Sequence, residues 1–238
     1  MNLNHKRDYV EVVYNEQERP LTDYPEQLTK YLVQRYDIAD GQNILDIGCG
    51  RGEFLRGFML CGLQGFGVDR STAAQQLCPD AQLAVADIEN AKLPYEDNFF
   101  DVVFSKSVIE HFYYPDNFMQ EIFRVLKPGG LVITMCPDWE ANMRIYFEDY
   151  THRTPFTITS LRDIQLINGF ENVECEFFRQ LPILWRYPLM LILAEITRYI
   201  TPAKLKPHSK FIRFAKEIML LSSAYKPLIG SWEKSSEK

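Results

Sequence analysis

The sequence predicts an α/β fold: a mostly parallel sheet of seven strands, with helices on both faces and a helical insertion before the last strand. From position 42 onward, short apolar runs alternate with segments in which apolar residues recur at helical spacing. This alternation is typical of parallel strands joined by crossover helices. The first apolar run leads into a loop with glycines at positions 48, 50 and 52, and a long apolar and basic segment separates the sixth run from the last.

Each element follows from its local pattern. Strands are predicted at residues 43–47, 65–69, 82–86, 100–105, 131–136, 172–178 and 218–225. Helices are predicted at residues 24–36, 53–61, 117–126 and 159–168, because apolar side chains recur there on one side. Lys127-Pro128-Gly129-Gly130 is expected to stop the third helix before the fifth strand, and Gly169 to stop the fourth helix.

The chain is predicted to have three parts: a core at 1–180, an apolar and basic helical insertion at 181–216, and the last strand with a polar tail at 217–238. The longest uncharged stretch of the insertion, from Tyr187 to Ala194, is far shorter than the roughly 20 residues that cross a bilayer. A transmembrane helix is therefore not expected. Three interpretations of the insertion stay open: a packed cap, the lining of an acceptor pocket, and a helix in a membrane interface.

Composition and charge narrow the function classes. The five cysteines are odd in number and form no CxxC pair, so neither a disulfide framework nor a structural zinc site is expected, and a cytoplasmic location fits better. The N-terminus is polar and charged, without a secretory signal. The net charge is −6, yet the segment from Arg179 to Lys226 carries nine basic and two acidic side chains. This segment indicates an anionic substrate, an anionic membrane surface or simply a solvated face.

The loop after the first strand carries the clearest chemical signal. Gly48, Gly50 and Gly52 let the backbone turn sharply and approach a ligand without an intervening Cβ. The next helix begins near Glu53, so its free amides favour a negatively charged ligand group. Asp69 ends the second strand about twenty residues further on, where a carboxylate accepts hydrogen bonds from ribose hydroxyls. Dinucleotide enzymes use a related loop, so this motif alone does not identify the ligand.

Further motifs follow in a fixed order. They are Ala86-Asp87-Ile88, Leu93-Pro94, Phe100-Asp101-Val102-Val103, Val108-Ile109-Glu110-His111 and Arg124-Val125-Leu126-Lys127-Pro128-Gly129-Gly130. Together with the glycine loop, this set resembles the class I S-adenosylmethionine (SAM)-dependent methyltransferases with a methyltransferase-11/23-type domain. The resemblance runs from about position 42 to 178. It implies a Rossmann-like fold, SAM as cofactor, S-adenosylhomocysteine as product, and no metal.

The resemblance also implies which residues hold the donor. Carried over by position, they are Asp46, Gly48, Cys49, Gly50, Asp69, Arg70, Asp87, Ile88 and Ser105. Asp69 is expected at the ribose, Asp87 at the adenine amino group, Ile88 beside the adenine and Ser105 near the methionine part. Asp46 is expected to order the loop, with a purely structural cap as an equal alternative. Cys49 is expected to be a small loop residue and not a nucleophile.

Two histidines are candidates for a general base. His111 follows the fourth strand, at the carboxyl edge where ligands bind in such sheets. His152 lies in a Thr-His-x-x-Pro-Phe-Thr stretch that resembles methyltransferases of surface-glycan and small-metabolite pathways. Histidine suits a base because its ordinary pKa is about 6.5, and a loop-anchoring hydrogen bond is the alternative for each ring. The four histidines show no metal-ligand spacing, so no bound metal is expected.

Three functions are compatible with these motifs. The first is O-methylation of a sugar, glycan or sugar nucleotide, favoured by the stretch around His152. The second is methylation of a lipid or quinone by an enzyme with peripheral contact to the inner face of the membrane through 181–216. This is favoured by the insertion and by Glu110-His111, which also resembles quinone-pathway methyltransferases. The third is a SAM-binding protein without catalysis. Nucleic acid is not an expected partner, because the chain is acidic and lacks the Asn/Asp-Pro-Pro-Tyr signature.

Overall fold

The computed structural model describes residues 12, 20–89, 91–187, 189–200 and 217–228. The chain divides into two compact units, Met1–Pro94 and Tyr95–Lys238. Several predicted features lie outside the described residues: His5, the basic helical piece at 208–216 with its neighbours Lys204 and Lys206, and the polar tail at 231–238.

The described residues of the first unit form parallel strands in the order β3-β2-β1, flanked by helices. The elements are α1 (Tyr24–Arg35), β1 (Asn43–Ile47), α2 (Glu53–Leu60), β2 (Gln64–Asp69), α3 (Ala74–Leu77) and β3 (Gln82–Val85). Helices α1 and α2 pack closely, because a Cβ at Gly57 would lie only 2.4 Å from Thr29 Oγ1. Fully buried side chains such as Leu28, Leu45 and Phe58 fill the core of this unit.

The second unit holds four strands in the order β4-β5-β7-β6. Its elements are β4 (Phe100–Lys106), α4 (Pro115–Val125), β5 (Leu126–Pro137), α5 (Trp139–Asn142), α6 (Ile158–Ile167), β6 (Glu171–Arg179), α7 (Pro182–Arg186), α8 (Met190–Ile200) and β7 (Ile218–Tyr225), with 3₁₀ turns at Ile109–His111 and Tyr146–Glu148. Strand β4 is parallel to β5, whereas β7 is antiparallel to both of its neighbours. The seven-stranded, mostly parallel sheet with flanking helices is therefore confirmed.

One local prediction was wrong. Residues 127–130 do not form a separate turn, because β5 already begins at Leu126, where α4 ends. Leu126 pairs with Phe100, and the ladder resumes at Val102 with Leu131, so the four residues between form a bulge. The Gly129 amide donates to the carbonyl of Lys226 over 2.8 Å, which holds this bulge against the end of β7.

The described part of the insertion is helical, as predicted. Leu181, Leu184 and Ala194 form a small buried cluster with Met190 against it, and Trp185 packs on Phe178 of β6. Several large apolar side chains of the segment are more than half exposed, namely Leu189, Ile192, Ile196, Tyr199 and Ile200. Within the described residues, no helix is both long enough and apolar enough to cross a membrane. The division of the chain at 180 and 216 stays a prediction.

Candidate functional site

The glycine loop between β1 and α2 has the conformation that its composition predicts. Gly48, Gly50 and Gly52 have φ values of 74°, 54° and 85°, all in the left-handed region that favours glycine. A Cβ at Gly52 would lie 2.8 Å from Cys78 Sγ, so this position is closed by packing. A Cβ at Gly50 would meet nothing within 4 Å. No atom of the described residues fills the space beside Gly50, which is what we expect where a ligand binds against the backbone.

Asp69, at the end of β2, fixes this loop through both carboxylate oxygens. Oδ2 accepts a 2.8 Å hydrogen bond from the Gly50 amide, and Oδ1 accepts one of 2.9 Å from the Ser71 amide. A carboxylate has about four acceptor sites, so ribose hydroxyls could bind in addition. The sequence prediction named Asp69 as a ligand contact and missed its bond to the loop.

Asp46 lies beneath the loop and is 2% exposed. Burial, reinforced by the negative charge of Asp69, raises its pKa to about 8, while a hydrogen bond from the Leu55 amide acts in the opposite direction. That amide belongs to the first turn of α2, where amides lack helical partners. Cys49 is also buried, and burial raises the pKa of its thiol far above the usual range, so the thiolate is suppressed.

Asp87 and Arg70 form an ion pair that the sequence prediction missed. Arg70 Nη2 donates to Asp87 Oδ1 over 2.6 Å, and both side chains are largely exposed. Glu89 lies 3.9 Å from the same guanidinium. Ile88, between the two acids, is half-buried. The pair follows the carboxyl ends of the adjacent parallel strands β2 and β3, and no local pattern in the sequence indicates it.

Ser105 is the predicted donor residue on β4. It is fully buried, and its register partner on β5 is Thr134, which is also fully buried. Within the described residues, neither hydroxyl oxygen has a hydrogen-bond partner. Two adjacent unsatisfied hydroxyls are unusual inside a sheet. Contact of Ser105 with the methionine part of the donor stays a prediction.

Beyond β4, the backbone turns inward and brings two distant segments together. Ser107 has a φ of 58°, and the 3₁₀ turn that follows buries Glu110 completely. The carbonyl of Glu110 accepts hydrogen bonds from the amides of Arg153 (2.8 Å) and Thr154 (3.1 Å). This backbone contact holds the segment around His152 beside the end of β4.

The two candidate histidines are consequently neighbours, with ring centroids 4.9 Å apart. Glu110, His111 and His152 each offer a ligand atom, and these atoms lie within 4.8 Å of one another. The sequence showed no metal-ligand spacing because His111 and His152 are far apart along the chain. The fold brings the two rings together although their spacing along the chain does not indicate it, and the absence of a bound metal stays a prediction.

Some buried polar atoms of Glu110 and His152 have no hydrogen-bond partner among the described residues. Within the part of the chain that the structure describes, neither carboxylate oxygen of Glu110 forms a hydrogen bond, and His152 Nδ1 is buried without a partner. Burial raises the pKa of Glu110 to about 8, although the backbone amides of Glu110 and Val108, which approach the carboxylate without meeting hydrogen-bond geometry, and the charge of Lys106 act to lower it. Burial, then the neighbouring His152, lowers the pKa of His111. The ring of His111 is therefore neutral at pH 7.

A chain of hydrogen bonds fixes the orientation of His111. Thr151 Oγ1 donates to Asp149 Oδ1 over 2.5 Å and lies 2.9 Å from His111 Nδ1. The only hydroxyl hydrogen of Thr151 is used toward Asp149, so the hydrogen in the second bond comes from His111 Nδ1. The Nε2 atom of His111 therefore carries a free lone pair, available for a proton or a metal.

Aromatic side chains form the wall behind His152. The Tyr146 ring centroid lies 4.4 Å from that of His152, and Trp139 packs edge-on against Tyr146 at 5.1 Å. The hydroxyl of Tyr146 donates to the carbonyl of Thr154 over 2.8 Å. These contacts hold the His152 segment in place and exclude water from one side of the ring.

Comparison with known proteins gives a family and a fold. Residues 45–134 match the family described as a methyltransferase domain. The chain is 31% identical over 158 residues to phosphoethanolamine N-methyltransferase 2 of Caenorhabditis elegans, which is 61% of this chain and 36% of that protein. The chain spans well under half the length of the curated relatives that it matches.

Two solved structures show the same fold over nearly the whole chain. A Haloferax volcanii methyltransferase in complex with the activator Trm112 has a TM-score of 0.69 at 21% identity, covering 93% of this chain and 99% of that one. Phosphoethanolamine N-methyltransferase 2 of Haemonchus contortus, bound to phosphomonomethylethanolamine and S-adenosylhomocysteine, has a TM-score of 0.66 at 22% identity, covering 93% and 60%. The Rossmann-like α/β fold is confirmed.

Proposed function

Since the chain belongs to the class I SAM-dependent methyltransferases, we propose that it transfers the methyl group of SAM to a hydroxyl of a sugar, glycan or sugar nucleotide. The observation that supports donor binding best is the loop between β1 and α2. Its Gly50 amide is fixed by Asp69 at 2.8 Å, and the space above Gly50 is open. The methionine carboxylate suits the positive N-terminal end of α2, and the ribose suits the remaining acceptor sites of Asp69. Asp87 and Ile88 then take the adenine.

The acceptor chemistry is assigned to the cluster after β4. SAM carries an activated methyl group, so the enzyme has only to align the acceptor and remove its proton. Burial and the neighbouring His152 lower the pKa of His111, which favours the neutral ring, and the contact of Nδ1 with Thr151 leaves Nε2 as the acceptor nitrogen. In this proposal Nε2 takes the hydroxyl proton while the oxygen attacks the methyl carbon. The carbon–sulfur bond breaks, and S-adenosylhomocysteine leaves as a neutral thioether.

The His111 orientation supports an oxygen acceptor over a passive binding site. A Thr151 hydroxyl that points its hydrogen at Asp149 holds the imidazole in one tautomer, as a general base requires. The relative from Caenorhabditis elegans is named for a nitrogen acceptor, so N-methylation is the outcome that most directly opposes this proposal.

A second candidate is a lipid or quinone acceptor reached at a membrane surface. It is favoured by the exposed apolar side chains of α8, among them Ile192, Ile196 and Ile200. Arg186 and Arg198 flank this surface and suit lipid phosphates. The same helix could cap the acceptor of a polar reaction, so the acceptor itself has to be identified.

The test uses methyl-labelled SAM with a fractionated extract of the source organism. Label in the aqueous phase that stays on oxygen by mass spectrometry supports the proposal. Label in the organic phase supports the lipid or quinone candidate, and label on nitrogen overturns the oxygen assignment. Bound SAM that is never consumed in any fraction would indicate a binding protein without catalysis.

Variants then test the base. His111→Ala is expected to leave the SAM affinity unchanged and to slow turnover by roughly 10²–10⁴-fold, the usual contribution of a general base. Tyr150→Ala is the matched control, because Tyr150 is an exposed ring of the same segment. Wild-type turnover in both His111→Ala and His152→Ala would exclude a histidine base.

A further inference from the structure

Glu110, His111 and His152 form a site that lacks a binding partner at its centre. Glu110 is fully buried with two free carboxylate oxygens, and His152 Nδ1 is buried and free, within the described residues. Buried polar atoms normally find a partner from the protein or from water. Buried acceptor atoms without partners, next to a second imidazole, suit a bound cation.

The distances suit a metal ion. The three ligand atoms lie within 4.8 Å of one another. Metal–nitrogen and metal–oxygen bonds of about 2.0–2.2 Å place the ligand atoms of one tetrahedral ion about 3.3–3.6 Å apart. Side-chain rotations that move these atoms by about 1 Å would therefore bring all three to bonding distance. Both imidazoles are only half-buried, so an ion can enter from that side.

We propose that Glu110, His111 and His152 bind a divalent transition-metal ion such as Zn²⁺, Co²⁺, Mn²⁺ or Fe²⁺. Two imidazoles and one carboxylate are a donor set that these ions accept, and three protein ligands leave a position for water or substrate. The Asp149–Thr151–His111 chain supplies the outer support, because it leaves Nε2 as the ligating nitrogen.

The role of this ion in catalysis rests on the proposed function, whereas its binding does not. Nε2 has one lone pair, so His111 acts either as a metal ligand or as a base. A bound ion would occupy this lone pair, so His111 would serve as a ligand, and the ion would supply Lewis-acid activation of an acceptor hydroxyl in place of a histidine base.

Direct binding is measured first on the full chain, stripped with a chelator. Co²⁺ is the probe, because its visible absorption reports coordination, and calorimetry gives the stoichiometry and affinity. One equivalent bound with a micromolar or lower Kd supports the proposal. The absence of stoichiometric binding by Co²⁺, Zn²⁺ and Mn²⁺ overturns it, even where SAM binds and methyl transfer proceeds. Failure of methyl transfer alone counts against the proposed function only.

Variants locate the ion. Glu110→Gln and His152→Ala are each expected to weaken Co²⁺ binding at least 100-fold, and Thr151→Val about 10–100-fold. Glu140→Gln, an exposed position in the same unit, is the matched control and keeps wild-type affinity. Thermal unfolding and SAM calorimetry identify any variant that fails to fold. Co²⁺ binding that survives both Glu110→Gln and His152→Ala in folded protein places the ion elsewhere and refutes the assignment.

Discussion

The carboxylate of Asp69 joins loop structure to donor binding, which makes Asp69→Asn an informative perturbation. The wild-type carboxylate accepts amide hydrogens from Gly50 at 2.8 Å and Ser71 at 2.9 Å. An asparagine amide has one oxygen, so its NH₂ group must face one of these donors. A hydrogen bond to a charged group contributes about 1.5–3 kcal/mol. We expect SAM affinity to fall by roughly 10–150-fold, since about 1.4 kcal/mol corresponds to a factor of ten.

The assay is isothermal titration calorimetry with SAM and with S-adenosylhomocysteine, alongside urea unfolding of the ligand-free protein. Unfolding reports the bonds to the loop, and calorimetry adds the contacts to the ligand. Asp80→Asn is the control, because Asp80 is an exposed acid of the same unit. A SAM Kd within twofold of wild type, in folded Asp69→Asn protein, would refute both the role of Asp69 in the loop and its placement at the ribose.

Three further perturbations separate packing from ligand contact. Both Gly50→Ala and Gly52→Ala force a side chain into left-handed backbone, which costs about 1–2 kcal/mol each. Gly52→Ala should lose about 1–3 kcal/mol more through overpacking, because its Cβ would lie 2.8 Å from Cys78 Sγ, whereas Gly50→Ala should in addition weaken SAM binding; equal losses of unfolding free energy would contradict this. Asp46 has a folded pKa of about 8, above its ordinary value of 3.8, so the folded state keeps a proton that the unfolded state releases. The free energy of unfolding of the wild type should fall as pH rises from about 4 to 8. The stability of Asp46→Asn relative to the wild type should therefore rise by up to several kcal/mol across that window. If the free energies of both proteins change with pH in parallel, the pKa shift is disproved. Arg70→Ala should cost less than about 1 kcal/mol of stability, because its pair with Asp87 is exposed, and a larger loss in urea unfolding would show a structural role.

The sequence predicts the sheet well because each strand is encoded locally. The pattern around Asn43–Ile47 is buried on nearly every residue, and the strand bounds agree with the prediction. The bulge at 127–130 was missed because its cause is non-local: the end of β7 holds Gly129 through Lys226. A helix stop signal of Pro and Gly cannot show that a strand has already begun one residue earlier.

The donor loop was predicted in the same way, from adjacent residues, and the cluster after β4 was not. Glu110 was noted only as the neighbour of His111, because nothing in the sequence shows that the carbonyl of Glu110 binds the amides of Arg153 and Thr154. This pairing places His152 beside the 3₁₀ turn at Ile109–His111. Contacts between residues some forty positions apart depend on the fold. The sequence therefore indicates each histidine as a candidate but does not show that the two rings are neighbours.

The burial of Glu110 is hard to explain by stability alone. A carboxyl group without hydrogen bonds costs free energy in an apolar interior, and an apolar residue or a glutamine would fill the same volume at lower cost. Its neighbours His111 and His152 do not offset this cost, since among the described residues neither carboxylate oxygen of Glu110 has a hydrogen-bond partner. Sequences that depart from local rules do so most often at functional sites. We therefore interpret Glu110, which has no hydrogen-bond partner among the described residues, as a residue that binds a ligand.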